Sequence, residues 1–521
     1  MSSSALESPT SGLQHRQERS VLDDQVEDIY SGSSDTSFKD VTEFDTAGAA
    51  ELLQDPDVRV IVLEKHKSLN SPGGTSRTDI TVIKELQKNF NRRFRFATDH
   101  SHKSPFFGFY TLFWVAYGWA IIRAGIANFM NNGQVFGTLI THILLRDILW
   151  VFLADLAMYC ASFFPFLLQL SIKHGYISWD RSGWVIQSLY QFVYIIFFLH
   201  IPSKYKFPWI GRTFLVLHSI VFLMKMHSYS FYNGYLWTIR KELDEAKQQL
   251  SVATSTNKKE EFQKIIRFCK AEIALQSSDI KFPSNISLKN YFSYSSFPTV
   301  VYQITYPRTK VIRKTYVLKK LCAIFGIFFL SIIVAEHYLQ SPIMNSIAVG
   351  KEPLADRFKK YPVLLADLVA PFTMIFLLIF FMIWDAILDT IGELTRFADR
   401  NFYGPWWNSQ SWDEYARLWN VTVHRFLLRH VYYASILSFR TTKQNAAFLT
   451  FFISSLFHEL VMFAIFRKLR GYLMLFQLAQ LPLTALSRTK LLKDKPVLNN
   501  ILFWIGICTG PSIVCSLYLV F

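Results

Sequence analysis

The sequence predicts an all-α fold: a polytopic transmembrane helical bundle of about nine spans. Three observations carry that reading. Runs of about 20 apolar residues recur along the chain, each long enough at ~1.5 Å rise per residue to cross a ~30 Å hydrocarbon core. Of the 521 residues, 51% are hydrophobic and 16% aromatic, with 48 Phe, far more long apolar runs than a soluble protein of this size needs. The Lys and Arg are concentrated in the longer polar stretches between runs, as the positive-inside rule expects of cytosolic loops.

Residues 1–95 are rich in Ser, Asp, Glu and Lys with few apolar clusters, and are predicted to be a disordered cytosolic tail. No apolar signal segment opens the chain, so the first span is expected to target it. Lys84, Lys88, Arg92, Arg93, Arg95 and Lys103 precede that span and argue for a cytosolic N-terminus. The predicted spans are 106–129, 147–171, 183–201, 208–235, 317–340, 361–386, 446–467, 471–487 and 497–521. Alternation puts loops 172–182, 238–316, 387–445 and 488–496 in the cytosol. Arg467, Lys468 and Arg470 fall on the luminal side against the rule, outweighed by the longer loops. A net charge of +16 suits topogenic loops and anionic ligands, and no nucleic-acid-binding signature is present. Five Cys without paired spacing give neither a disulfide framework nor a metal cluster.

Loop 238–316 opens with KELDEAKQQL, charged at helical spacing and predicted to be a solvated helix. It ends in NYFSYSSFPTVVYQITYPRT, residues 290–309, where Pro298 and Pro307 forbid a simple helix. Such aromatic density marks either a membrane interface or an amphipathic ligand groove.

Between the sixth and seventh spans lies RNFYGPWWNSQSWDEYARLWNVTVHRFLLRH, Arg400 to His430. Gly404 and Pro405 break the chain, and a helix is expected from about Ser411. On it Trp412, Tyr415, Trp419, Val423 and Phe426 form one apolar stripe, with Arg417, Asn420 and His424 on a neighbouring face. Aromatic and polar stripes side by side suit the wall of an amphipathic tunnel; an interfacial helix facing water is the plainer alternative. Asn420-Val421-Thr422 reads as a glycosylation sequon, accidental if the loop is cytosolic. Arg425, Arg429, Arg440 and Lys443 crowd the approach to the seventh span. They fit topology alone, and equally an anionic, phosphate-bearing ligand with a long apolar part.

The seventh span, AAFLTFFISSLFHELVMFAIF, carries His458 and Glu459 near its middle. An ionisable side chain at that depth costs on the order of 2.5–3.5 kcal/mol, so it is a functional candidate unless a neighbouring helix merely satisfies it. Ser454 stands one turn earlier on the same face. Met462 occupies the second ligand position of H-E-x-x-H, which argues against a zinc site.

FYGPWWN (Phe402, Tyr403, Gly404, Pro405, Trp406, Trp407, Asn408), Trp419-Asn420 with His424 four residues on, Phe457-His458-Glu459 and FPTVVYQITYPRT together resemble membrane-bound O-acyltransferases. Within them the chain is most similar to the fungal sterol O-acyltransferases. MHSYSFYNGYLW, residues 226–237, and the C-terminal FWIGICTGPSIVCSLYLVF extend the likeness, which covers residues from about 80 to 521; the acyltransferase domain is set at 96–521. The resemblance implies an endoplasmic-reticulum enzyme that moves a fatty acyl group from acyl-CoA to the 3-hydroxyl of a sterol, storing it as a steryl ester. It further implies nine spans with cytosolic amphipathic helices around an intramembrane reaction chamber, a cytosolic entrance for CoA, lateral sterol entry, a homodimer or homotetramer, and no cofactor or metal. By motif position His458 is similar to the family's essential histidine and Asn420 to its partner asparagine. Tyr415, Arg417, Trp419, His424, Lys443 and Ser454 match positions associated with acyl-CoA. This chain departs from the family's FYxDWWN or FYxEWWN motif at Pro405, which removes an acidic contact and puts the loop geometry in question.

A thioester is already activated, so direct attack in a ternary complex is expected. His458 serves as neutral base, and Asn420 donates to the acyl oxygen or orients His458. Glu459 is the other group that could fix the imidazole, although adjacency turns it ~100° away on a helix. No Cys lies near the seventh span or the loop before it, which disfavours a cysteine nucleophile. The competing readings are a diacylglycerol acyltransferase of the same superfamily and a lipid transporter or sterol sensor with His458 in a relay or cavity.

Overall fold

The computed structural model describes scattered positions between 112 and 133, and then residues 139–521 except 278, 279, 440, 488, 490, 491, 493 and 494. The predicted tail 1–95 lies outside the described residues, as does most of the first predicted span. Among the described residues the secondary structure is helical, with one isolated bridge between Arg308 and Phe397.

Among the described residues, seven helices are long and apolar enough to cross a membrane: α1 (Ile148–Lys173), α2 (Trp179–Lys204), α3 (Trp209–Val252), α6 (Lys314–Val349), α7 (Leu354–Leu394), α10 (Lys443–Phe466) and α13 (Pro496–Val520). They coincide with seven of the nine predicted runs. The eighth, 471–487, is shorter than a span and folds as α11 (Tyr472–Leu478) and α12 (Gln480–Ser487). The break falls at Ala479, just before Gln480-Leu481-Pro482.

At 44 residues, α3 extends for about 66 Å, roughly twice the hydrocarbon thickness. Its second half contains the KELDEAKQQL segment, which is a helix as expected but not solvated all round. Ile239, Leu243 and Ala246 are buried against Phe262, Ile265, Ile266 and Cys269 of α4 (Thr256–Gln276), which packs alongside α3. Gly234 permits the close approach of Trp179 to α3, since a Cβ there would stand 2.0 Å from the indole.

The aromatic segment resolves into a short helix, α5 (Leu288–Ser296), followed by coil through the two prolines. Ser287 caps α5 by accepting from the Asn290 N–H. Neither sequence expectation describes its tyrosines. Tyr291, Tyr294 and Tyr302 are about as buried as any residue in the chain, clustered with Tyr229 and Tyr232 of α3. Edge-to-face rings fill the space, and each hydroxyl of the three finds a carbonyl or amide acceptor: Tyr291 on Ser162 O, Tyr294 on Val300 O at 2.9 Å, Tyr302 on Asn290 Oδ1 at 2.7 Å. Buried Lys225 of α3 holds the end of α5, donating to the carbonyls of Ser295 and Phe297 at 2.7 Å each. This clamp sets the coil 297–306 against the middle of α3, beside the candidate site.

Candidate active site

The predicted helix from Ser411 forms but does not run through. Ser411 caps α8 (Trp412–Trp419), accepting from the Glu414 N–H at 3.3 Å, while Glu414 accepts from the Gln410 N–H at 2.8 Å. Asn420, at φ −140° and ψ 82°, then ends α8 and caps α9 (Val421–Leu427) through its own side chain. The expected single stripe is therefore cut in two. Trp412, Tyr415 and Trp419 pack with Phe380, Trp406, Phe503 and Trp504, whereas Val423 and Phe426 pack with Met224, Val300 and Val301. Arg417, Asn420 and His424 do not share one helix face. Arg417 instead pairs with Asp413 at 3.3 Å.

FYGPWWN is the frame for that break. The Val421 N–H donates to Phe402 O at 3.0 Å and the Gly404 N–H to Leu418 O at 2.8 Å, so the motif backbone grips both sides of Asn420. A Cβ at 404 would stand 2.7 Å from Leu418 Cδ2, so a larger residue there would displace that side chain. Phe402 and Trp406 are buried, and Trp406 meets Trp419 edge to face. Trp407 is partly exposed and its carbonyl accepts from Trp504 Nε1, tying the motif to α13. Pro405 opens the 3-10 turn Trp406–Asn408, with its carbonyl accepting from the Asn408 N–H. Asp385 lies beside the motif, accepting from Tyr403 Oη at 3.4 Å and from Lys320 Nζ at 2.8 Å.

Asn420 Oδ1 accepts from the Val423 N–H at 3.1 Å. That bond decides which way the amide faces: the oxygen is committed to the cap, and the two Nδ2 protons have no acceptor among the described residues. His458, on α10, has Nδ1 2.8 Å from Ser454 O. A carbonyl only accepts, so Nδ1 carries the proton and the Nε2 lone pair is free in the neutral ring.

His458 is exposed, as are several apolar side chains of the same helix. Phe448, Phe452, Leu456 and Phe463 form the exposed apolar row of α10. At 100° per residue His458 lies on the order of 120° around the helix from that row. Tyr415, His424, Arg429 and His430 are half-buried. Burial, reinforced by the charges of Arg417 and Arg425, pushes His424 down to about 4. Burial raises the Tyr415 phenol above its ordinary value.

Glu459 has a different task from the one considered for it. It is 2% exposed and accepts from the Gly471 N–H at 2.7 Å, from the Met474 and Arg470 N–H groups, and from Tyr518 Oη. It thus joins α10 to the start of α11 and to α13, and does not touch the imidazole.

The structure does not bring all the predicted residues together. No hydrogen bond links His458 to Asn420. They are connected through α9 and the π-turn Leu428–Tyr432, which packs on α10. Lys443 opens α10 and is exposed; Arg440 lies outside the described residues. Arg425 pairs with Asp399 at 3.2 Å. Among the described residues no group of His, Cys, Asp or Glu is arranged to hold a metal ion. The sequence reading missed His430, whose Nε2 lies 2.9 Å from Ser228 Oγ, and the linked His227 of α3.

A membrane-bound O-acyltransferase family model matches residues 136–520. The chain is 42% identical over 504 residues to a protein of Candida albicans named sterol O-acyltransferase 2, covering 88% of this chain and 83% of that one. It is 44% identical over 430 residues to the Saccharomyces cerevisiae protein of the same name, covering 80% and 67%. Similarity to diacylglycerol O-acyltransferase 1 of Dictyostelium discoideum is partial: 34% over 242 residues, 46% of this chain and 37% of that one.

Proposed function

The chain belongs to the membrane-bound O-acyltransferase family, and we propose that its reaction is the transfer of a long-chain fatty acyl group from acyl-CoA to the 3-hydroxyl of a sterol, forming a steryl ester. It is an acyltransferase, and the breadth of its likeness to sterol O-acyltransferases, against partial likeness to a diacylglycerol O-acyltransferase, supports the sterol as acceptor. The observation that carries the chemistry is the free Nε2 of His458, on a side of its helix about 120° from the row of exposed apolar side chains.

His458 Nε2 takes the proton of the sterol hydroxyl as that oxygen attacks the thioester carbonyl. The tetrahedral oxyanion is stabilised by the amide of Asn420, whose Nδ2 the cap leaves free to donate. Collapse breaks the C–S bond, and the imidazolium returns the proton to the leaving thiolate, so no net proton is consumed. No covalent enzyme intermediate, metal or redox cofactor is called for.

In this reading Tyr415, His424, Arg429, His430 and His458 line an intramembrane chamber. Tyr415, Arg417, Trp419, His424, Lys443 and Ser454 serve the acyl-CoA, which enters from the cytosolic side, while the sterol enters laterally. The basic residues before the first predicted span and in loops 238–316 and 387–445 support a cytosolic N-terminus. The family likeness supports an endoplasmic-reticulum location and a homodimer or homotetramer.

The test is purified protein in lipid nanodiscs given labelled oleoyl-CoA with either ergosterol or diacylglycerol, following both thiol release and lipid product. Thiol release with steryl ester formation is expected. Triacylglycerol as the product would reassign the acceptor, and lipid binding with no thiol release would make the protein a transporter or sensor.

A further inference from the structure

We propose that Lys225 is a positioning residue for the acyl transfer: through the coil that follows α5 it fixes α9, and with it the amide of Asn420. This rests on the reading of Asn420 as the oxyanion donor, and adds a residue of α3 outside every motif named above.

Lys225 stands in the apolar first half of α3 and is 8% exposed. A lysine inside a span is costly and persists where its donors are matched. Its Nζ lies 2.7 Å from Ser295 O, 2.7 Å from Phe297 O and 3.4 Å from Tyr294 O. Three carbonyls match the three N–H donors of an ammonium. Carbonyls at a helix C-terminus also carry the partial negative charge that suits a cation. With its donors committed to backbone, the side chain is neither base nor phosphate ligand. What it holds is a segment of chain.

That segment leads to α9. Farther along the coil, the Tyr302 N–H donates to Ser228 Oγ at 2.8 Å, one turn on from Lys225, so the coil is fastened to α3 at two points. The Tyr302 carbonyl accepts from Arg429 Nη1 at 3.2 Å, in the π-turn after α9. Between these points Val300 and Val301 are buried in a cluster with Phe426, and Val423 and Leu427 pack on it. Val423 is the residue whose N–H holds Asn420 Oδ1 at 3.1 Å. The path from ammonium to amide is therefore one carbonyl, a short length of coil, an apolar cluster and one hydrogen bond. At 7 residues α9 is too short to be stable alone and depends on that packing. A shift of ~1 Å in α9 moves the amide relative to the thioester oxygen, and misplacement on that scale costs on the order of 10²-fold.

Lys225→Met keeps the length of the side chain and removes its donors. The protein should still fold, since Tyr294 O retains the Phe297 N–H at 3.1 Å and Phe297 O the Thr299 N–H at 2.8 Å. Its kcat is expected to fall about 10–100-fold, with KM for oleoyl-CoA and for sterol within about twofold. Amide hydrogen exchange should quicken in 297–306 and 421–429 and stay unchanged in 459–474. Made in Asn420→Ser, which keeps the cap but has no amide, the same substitution should lower kcat by less than about twofold more, because the group it positions is already gone. An equal fall in both backgrounds would make Lys225 a general scaffold and overturn the proposal, as would a folded Lys225→Met protein with wild-type kcat. If Lys225→Met does not yield monodisperse protein, Val301→Ala, which loosens the coil from α9 and leaves the ammonium in place, is put to the same comparison. Should Asn420→Ser alone retain wild-type kcat, the oxyanion reading fails on that variant. Exchange quickened only in the two segments would then still uphold the clamp on α9, and unchanged exchange would overturn it.

Discussion

The Nδ1 of His458 sits 2.8 Å from the carbonyl oxygen of Ser454, one turn back along the same helix. The helix itself therefore sets the tautomer that a general base needs, with no carboxylate partner. His458→Ala should lower turnover by about 10²–10⁴-fold while leaving the protein assembled. Ser454→Ala keeps the carbonyl, so kcat should hold and any loss should appear in the acyl-CoA KM. Steady-state kinetics on size-homogeneous protein checks both, and a large kcat loss in Ser454→Ala would count against a purely backbone role.

Asn420 divides its side chain between two duties, and substitutions can split them. Ser at a helix N-cap preserves the bond to the Val423 N–H but has no amide. Asn420→Ser should thus melt close to wild type while losing about 10²–10³-fold in kcat. Asn420→Ala should lose the cap as well, at about 1 kcal/mol. Equal activity in Asn420→Ser and wild type would remove the amide from the mechanism.

Glu459 is predicted to matter for assembly more than for chemistry. Its carboxylate collects three backbone N–H groups and the Tyr518 hydroxyl. Glu459→Ala leaves those buried donors without partners, at about 1–3 kcal/mol for an unsatisfied group, and should lower the melting temperature in detergent. Tyr518→Phe removes one donor and leaves the backbone contacts, so its effect should be smaller. A Glu459→Ala protein with normal stability but no activity would restore the carboxylate to the reaction.

Much of this was legible in sequence because burial in lipid leaves a simple trace: seven apolar runs became seven helices of span length. The break at Asn420 was not, because one non-helical residue barely disturbs a 3.6-residue stripe, so Trp419 and Val423 still look like neighbours. The available signal was Asn before Val-Thr-Val, a capping residue ahead of β-branched ones. His430 was hidden among Arg425, Arg429 and Lys443, where positive-inside topology accounts for charge and nothing local marks its contact with Ser228. The tyrosines of 291–302 misled for another reason. Sequence shows an amphipathic ring but not the partners, here Asn290 and the carbonyls of Ser162, Lys225 and Val300, that allow its hydroxyl to be buried.

The lowered His424 sets a direction for stability with pH. Its folded value is about 4, against the ordinary 6.5, because burial and two nearby guanidinium groups disfavour the charged ring. Between those values the unfolded chain binds a proton that the folded protein does not, so unfolding is favoured as the medium acidifies. The contribution is fully present above about pH 6.5 and is lost as pH falls toward 4. His430 shifts the same way and adds to the slope. Thermal unfolding in detergent should therefore be nearly flat from about pH 7 upward and decline below it. His424→Asn, which cannot take up that proton, should flatten the decline without moving the plateau's pH onset upward. A His424→Asn protein with an unchanged acid slope would place the titrating group elsewhere.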